Sequence, residues 1–270
     1  MLDFIRNYFL KTFGLLTITT AAVNETAATV HLPNIFCDGM VLQRNALIPI
    51  WGTASAGESI NIELNGNTFT VLANDSGNWQ ISIGPLKSGG PYQLIVKGSN
   101  TLKINDVWVG EVWLCSGQSN MEWPMYWLPN YKEEIDAANN PKIRQFRVQK
   151  MLSNTIQDDV MPSKWITATK SDINQFSGVA YFFAKYLFEQ LNVPIGIINA
   201  SWGGTMIEPW ISKQAIKEFP DAKALLETDA FKNLPDYSPN QTFEGFTQRV
   251  QQLLDNEPGF LQKWYLPYTQ

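Results

Sequence analysis

Histidine is almost absent from this sequence: His31 is the only one in 270 residues. That excludes a metal site built from several imidazoles and leaves few ways to set a base beside a nucleophile. Cysteine is nearly as scarce. Cys37 and Cys115 lie far apart, and neither forms a C-x-x-C pair. They read as two free, buried thiols, and neither a metal nor any other cofactor is implied. Basic charge is also short, with 20 Lys and Arg against 25 Asp and Glu and a net charge of −5. A nucleic-acid surface needs clustered basic residues, so a small or neutral partner is expected and no nucleic acid. Long apolar runs are missing too. The best candidate, Gly14 to Val23, is too short for a membrane span of ~20 residues.

With Arg6 and Lys11 ahead of it and small residues behind, that stretch has the form of a secretory signal. Residues 1–28 are expected to be a signal peptide or disordered leader. The mature protein is then secreted or periplasmic, with no stable membrane insertion after signal removal. What the chain has in quantity is apolar and aromatic side chains, 44% and 13%. These allow a sizeable core and exclude a disordered chain, and the length suits two modest domains.

Residues 29–107 carry the signals of an all-β unit. Ile60, Ile62 and Leu64 alternate with polar residues, and Asn65-Gly66 supplies a tight hairpin turn before Thr68 to Val71. Asn74 to Gly77 turns again, Trp79 to Ile83 alternates, and Tyr92 to Val96 returns after Ser88-Gly89-Gly90-Pro91. Short strands at this spacing predict a small β-sandwich.

From residue 108 the period changes. Val112 to Cys115 is an apolar run of the kind that fills a strand buried on both faces, and Ser116-Gly117 breaks it. Lys132 to Ala138 reads as a short helix stopped by Asn139-Asn140-Pro141, and Ile143 to Val148 as a strand. Ser177 caps a helix on which Val179, Phe182, Phe183, Tyr186, Leu187 and Leu191 recur at helical spacing. Pro194 to Ile198 then reads as an inner parallel strand, so residues 108–270 are α/β. Ser212 can cap a further helix through Phe219, and Asp221 to Glu227 and Phe243 to Leu254 also read as helical.

In such sheets ligands bind beyond the carboxyl ends of the strands. Ser119 sits just past one such end. Ser201-Trp202-Gly203-Gly204-Thr205 sits just past another, where adjacent glycines can bring backbone N–H groups close to a ligand.

Gly110 to Met121, reading Gly-Glu-Val-Trp-Leu-Cys-Ser-Gly-Gln-Ser-Asn-Met, resembles the signature of the sialate O-acetylesterases, a branch of the SGNH hydrolases. Ile197 to Thr205, with Glu208 and Trp210 after it, resembles a second block of that family. The resemblance runs from about Leu32 to about Ser212. It implies a β-sandwich domain followed by a flavodoxin-like three-layer α/β domain of SGNH type. It also implies removal of O-acetyl groups from sialic acid or a similar sugar, with Ser119 as nucleophile. The oxyanion donors would be the N–H groups of Ser119 and of Gly203 or Gly204, with Gln118, Asn120, Trp202 and Glu208 binding the sugar.

The family draws its base from an Asp-x-x-His block, and these 270 residues contain none. His31 lies ahead of the β unit and reads as structural. Glu111, Glu122 and Glu208 are poor substitutes, because an ordinary carboxylate is badly matched to a hydroxyl proton. The expectation is therefore the first part of an SGNH domain, inactive or incomplete alone, with the missing half as a separate chain among its partners. The alternatives are a relic that binds acetylated sugar without cleaving it, and a hydrolase using Cys115.

Overall fold

The structure, a computed structural model, describes residues 29–129, 131–151, 156–205, 210–216, 218 and 219. The expected leader, the helices expected beyond Pro220 and Glu208 all lie outside the described residues. Among those described, the chain is rich in sheet and poor in helix. It runs β1 (Val41–Gln43), β2 (Ile48–Thr53), β3 (Ser59–Leu64), β4 (Asn67–Leu72), β5 (Asn78–Ile83), β6 (Gly89–Lys97) and β7 (Thr101–Gly117). Then come α1 (Ser119–Glu122), α2 (Tyr131–Ala137), β8 (Asn139–Arg147), β9 (Trp165–Thr169), α3 (Gly178–Leu191), β10 (Ile195–Ser201) and α4 (Lys213–Ile216).

The hairpin forms where it was expected. Leu64 pairs with Asn67 across Asn65 and Gly66, which have φ of 49° and 75°, the left-handed pair that lets a two-residue turn follow the strand twist. Ile60, Ile62 and Leu64 point into a core shared with Ile50, Leu94, Val96 and Val107. β2 and β5 form a separate two-stranded sheet, and the other strands form one mixed sheet in the order β4-β3-β6-β7-β10-β8-β9, with β1 also on β7.

β7 organises that sheet. Its 17 residues run from the antiparallel partner β6, along Thr101 to Val109, to the parallel partner β10, along Glu111 to Gly117. β10 lies between β7 and β8 and is parallel to both, so three strands end on the same side. β9, which no strong sequence signal marked, closes the far edge antiparallel to β8.

Three local expectations change. Asn139 and Asn140, read as the stop after α2, already belong to β8, and the β8 to β9 register shifts between Asn140 and Arg144 around Pro141. A proline cannot donate to a ladder, so the irregularity falls where pairing would fail anyway. Val112 to Cys115 is not buried on both faces: Cys115 is buried, but Trp113 and Leu114 are 43% and 67% exposed. Among the described residues, strand pairing on the edge of β7 opposite β10 stops at Gly110, where β1 ends.

The third change is the face of α3. Ser177 caps it as expected, accepting from Ala180 N–H at 3.2 Å. The residues that pack inward, however, are Gly178, Ala180, Tyr181 and Ala184, while Val179, Phe182, Phe183 and Tyr186 are exposed. Small residues let the helix axis come close to its neighbours. A Cβ on Gly178 would lie 2.6 Å from Leu128 Cδ1. Apolar periodicity finds a stripe but does not say which side of the helix meets the sheet.

One buried cation ties β8 to β7. Arg144, 3% exposed, donates to the carbonyls of Gly39 (2.8 Å) and Pro141 (2.9 Å) and pairs with Asp106 Oδ2 at 2.7 Å. Burial opposes ionisation of Asp106, but Arg144 and the Trp108 indole outweigh it and hold its pKa below the ordinary value. A carboxyl with a depressed folded-state pKa stabilises the fold fully above its unfolded value, and this stability is lost as pH falls through the folded one. Urea midpoints should therefore drop on acidification below about pH 4. Arg144→Met should remove that acid-labile part and cost about 2 kcal/mol near neutral pH through its unmade hydrogen bonds. Equal midpoint-against-pH curves for the two proteins would refute this.

Candidate functional site

The carboxyl ends of β7, β8 and β10 meet, and each delivers a polar group. β7 ends at Gly117, and Gln118 leads into α1 with Ser119 as its first residue. The Gln118 carbonyl accepts from Met121 and Glu122 N–H, and the Ser119 carbonyl accepts from Trp123 N–H, which fixes the turn carrying the hydroxyl. Ser119 and Asn120 are exposed. β10 ends at Ser201, paired with Gly117, and Trp202 N–H donates to the Gly117 carbonyl at 2.9 Å. The glycine loop therefore lies beside the serine turn: a Cβ on Gly203 would sit 3.3 Å from Ser119 Cα and 3.4 Å from its Cβ. Gly204, at φ 80°, is exposed, with open space where a Cβ would point.

Glu122 joins the strand ends electrostatically. Its carboxylate pairs with Arg147, the last residue of β8, at 2.8 Å and with Lys150 at 2.6 Å, and its other oxygen accepts from Gly203 N–H. Partial burial raises its pKa, but Lys150, Gly203 N–H and Arg147 together bring it below the ordinary glutamate value. Lys150 Nζ also stands 5.5 Å from the Trp202 ring centroid, a cation–π contact. Trp210 donates from its indole to Thr205 Oγ1 at 2.9 Å, bracing the loop on its far side.

Beneath the strand ends lies a buried polar network. Ser201 Oγ donates to Asn199 Oδ1 (2.6 Å), Asn199 Nδ2 donates to Gln145 Oε1 (3.3 Å), and the same oxygen accepts from Ser177 N–H (3.0 Å). Met121, next to the serine turn, takes a contact from Ser177 Oγ at 3.7 Å. Such a satisfied network holds a site rigidly. Sequence reasoning missed Gln145, Arg147, Lys150 and Asn199. Their only signal is a polar residue inside or just after an apolar strand, and nothing local shows which partner it meets.

Among the described residues Ser119 Oγ makes no hydrogen bond. His31 is not at these strand ends: it is exposed and bridges to Thr53 of β2 through its backbone. Cys37 and Cys115 are both free, and burial pushes both thiols above the ordinary cysteine pKa. A reactive thiol needs the opposite shift, which argues against chemistry at Cys115.

Residues 109–229 match the family described as carbohydrate esterase, sialic acid-specific acetylesterase. Over this region the chain is similar to the sialate O-acetylesterases. The mouse sialate O-acetylesterase is 30% identical over 76% of this chain, and the human one 31% identical over 66%. A carbohydrate acetylesterase from Xanthomonas citri is similar in structure, with a TM-score of 0.69 and 38% identity over 71% of this chain. The match spans 42% of the mouse protein, 38% of the human one and 44% of the bacterial one. This chain therefore corresponds to about two fifths of the length of these relatives.

Proposed function

We propose that this chain supplies the nucleophile and oxyanion-hole part of a carbohydrate esterase that removes O-acetyl groups from sialic acid or a similar sugar. Ser119 Oγ attacks the acetyl carbonyl, and the sugar oxygen leaves with a proton delivered by the base. The acetyl group stays on Ser119 until water releases it as acetate. The N–H groups of Ser119 and of the Gly203-Gly204 loop receive the developing oxyanion, and Gln118, Asn120, Trp202 and Glu208 contact the sugar. The observation that carries this reading is the side-by-side placement of Ser119 and Gly203 at the ends of β7 and β10.

A base must come from elsewhere, because a serine hydroxyl is a weak nucleophile without one. The natural source is polypeptide carrying an Asp-x-x-His block. The edge of β7 opposite β10, together with Trp113, Leu114, Phe182 and Phe183, is where we place it. Unpaired strand edges and exposed apolar side chains recruit further chain. In this reading residues 29–107 are a β-sandwich and residues 108–270 the first part of an SGNH-type domain. The protein works outside the cytoplasm after loss of a leader. No helix among the described residues is long and apolar enough to cross a membrane.

The test is a serine-directed fluorophosphonate applied to this chain together with such a half. Mass spectrometry should find the adduct on the peptide containing Ser119, and an unmodified Ser119 would overturn the reading. A second reading, binding of acetylated sugar without cleavage, is favoured by one feature. Trp123, Tyr126 and Trp127 are exposed beside α1, with rings 5.3 and 5.5 Å apart in edge-to-face pairs, and aromatic faces suit sugar rings. Sugar binding by the same assembly with no acetate release would select it.

A further inference from the structure

The loop presents two backbone N–H groups side by side, and they are not equivalent. Gly203 N–H is already committed, because it donates to Glu122 Oε2. Gly204 N–H makes no hydrogen bond among the described residues, and its backbone stands exposed at φ 80°. Glu122 is itself held from a third direction by Arg147 at the end of β8 and by Lys150 just beyond it. It is also the last residue of the short turn that begins with Ser119. One carboxylate thus bonds the serine turn to the glycine loop and anchors both to β8.

We infer that Glu122 is a positioning residue: by holding Gly203 N–H and pinning the loop against the serine turn, it leaves Gly204 as the loop's oxyanion donor. This deepens the esterase reading and rests on it.

The physical reason is geometric. An oxyanion donor is useful only when aimed at the place where charge develops, and displacement of about 1 Å can forfeit most of its effect. Gly-Gly is the most flexible dipeptide a chain can offer, so the loop needs an external restraint. A hydrogen bond from a backbone N–H to an ionised carboxylate, itself doubly paired, is a strong restraint of this kind.

Two measurements test it, one of them independent of catalysis. In the 270-residue chain the Gly203 amide proton, followed by NMR, should titrate with Glu122, with a midpoint below the ordinary glutamate value of about 4.3. The groups facing that carboxylate are Arg147 and Lys150. An amide that does not respond to pH there overturns the inference.

The second measurement is acetate release from an aryl acetate by the chain with its Asp-x-x-His half. Glu122→Ala should lower kcat roughly tenfold to a hundredfold with KM changed less than about twofold. Glu122→Gln, which still offers Gly203 N–H an oxygen, should recover most of the loss. Unchanged kcat in Glu122→Ala overturns the positioning role and leaves the esterase reading standing. So does a loss that Gln does not repair. A parent assembly that releases no acetate overturns both, while the amide titration still reports the contact.

Discussion

Replacing Ser119 by Ala should reduce acetate release by the chain joined to its Asp-x-x-His half by about 10⁴-fold, with little change in stability. The magnitude follows from the role: without the nucleophile there is no acyl-enzyme, and what remains is the contribution of the oxyanion donors and of binding. The small stability cost follows from the structure, since the hydroxyl is exposed and its Oγ makes no hydrogen bond among the described residues. Exposed substitutions away from caps and cores usually stay within about 0.5 kcal/mol. Rate and thermal midpoint should therefore separate cleanly. A variant that retains a tenth of the parent rate would rule out Ser119 as nucleophile. Retained binding of acetylated sugar by this variant is expected, because the aromatic side chains around α1 are untouched.

The second large effect lies at Gly110, where the family-like segment begins. A Cβ there would sit 1.9 Å from the Pro194 carbonyl oxygen and 2.6 Å from its carbon, and both are backbone atoms. The same carbonyl accepts from Glu111 N–H at 2.9 Å, the first bond that joins β10 to β7. Gly110→Ala must therefore push β10 away at the point where the parallel pairing starts. We expect destabilisation of ~3–5 kcal/mol, the range in which backbone strain and lost pairing combine. Since β7 and β10 carry Ser119 and the glycine loop, loss of acetate release should accompany it. The measurement is a urea transition of the purified variant. A midpoint equal to the parent's would show that the two strands can part at no cost.

These two predictions show how differently parts of the site could be read from the chain. Ser119 was legible because its context is local: an apolar run, a glycine break and a serine just past the strand end. The hairpin at Asn65-Gly66 and the N-cap at Ser177 were legible for the same reason, since each depends on residues within one turn. Glu122 was read only as a weak candidate base. Its position after the serine is evident, but its partners are Arg147, Lys150 and Gly203, which lie 25, 28 and 81 residues away, and nothing at Glu122 specifies them.

The helix α3 carries the same lesson in packing. Its extent and start followed from a capping serine and helical apolar spacing. Its orientation did not, because the large apolar side chains at Val179, Phe182 and Phe183 looked like the natural inner face. The helix turned its small residues inward instead, where Leu128 leaves no room beside Gly178. Space at a contact is a property of two surfaces, and the sequence of one of them cannot report it.

By itself, then, the amino-acid sequence determined the strands β3 to β6, the strand-to-turn context of Ser119, the adjacent glycines and the absence of a second histidine. All of these are short-range matters of propensity, turn geometry and composition. Tertiary structure alone decided that β7 spans both halves as one strand, that its edge opposite β10 goes unpaired beyond Gly110 among the described residues, and that one glycine of the pair is held by Glu122. Each of these depends on which distant surfaces meet, and that is set by the packing of the whole chain.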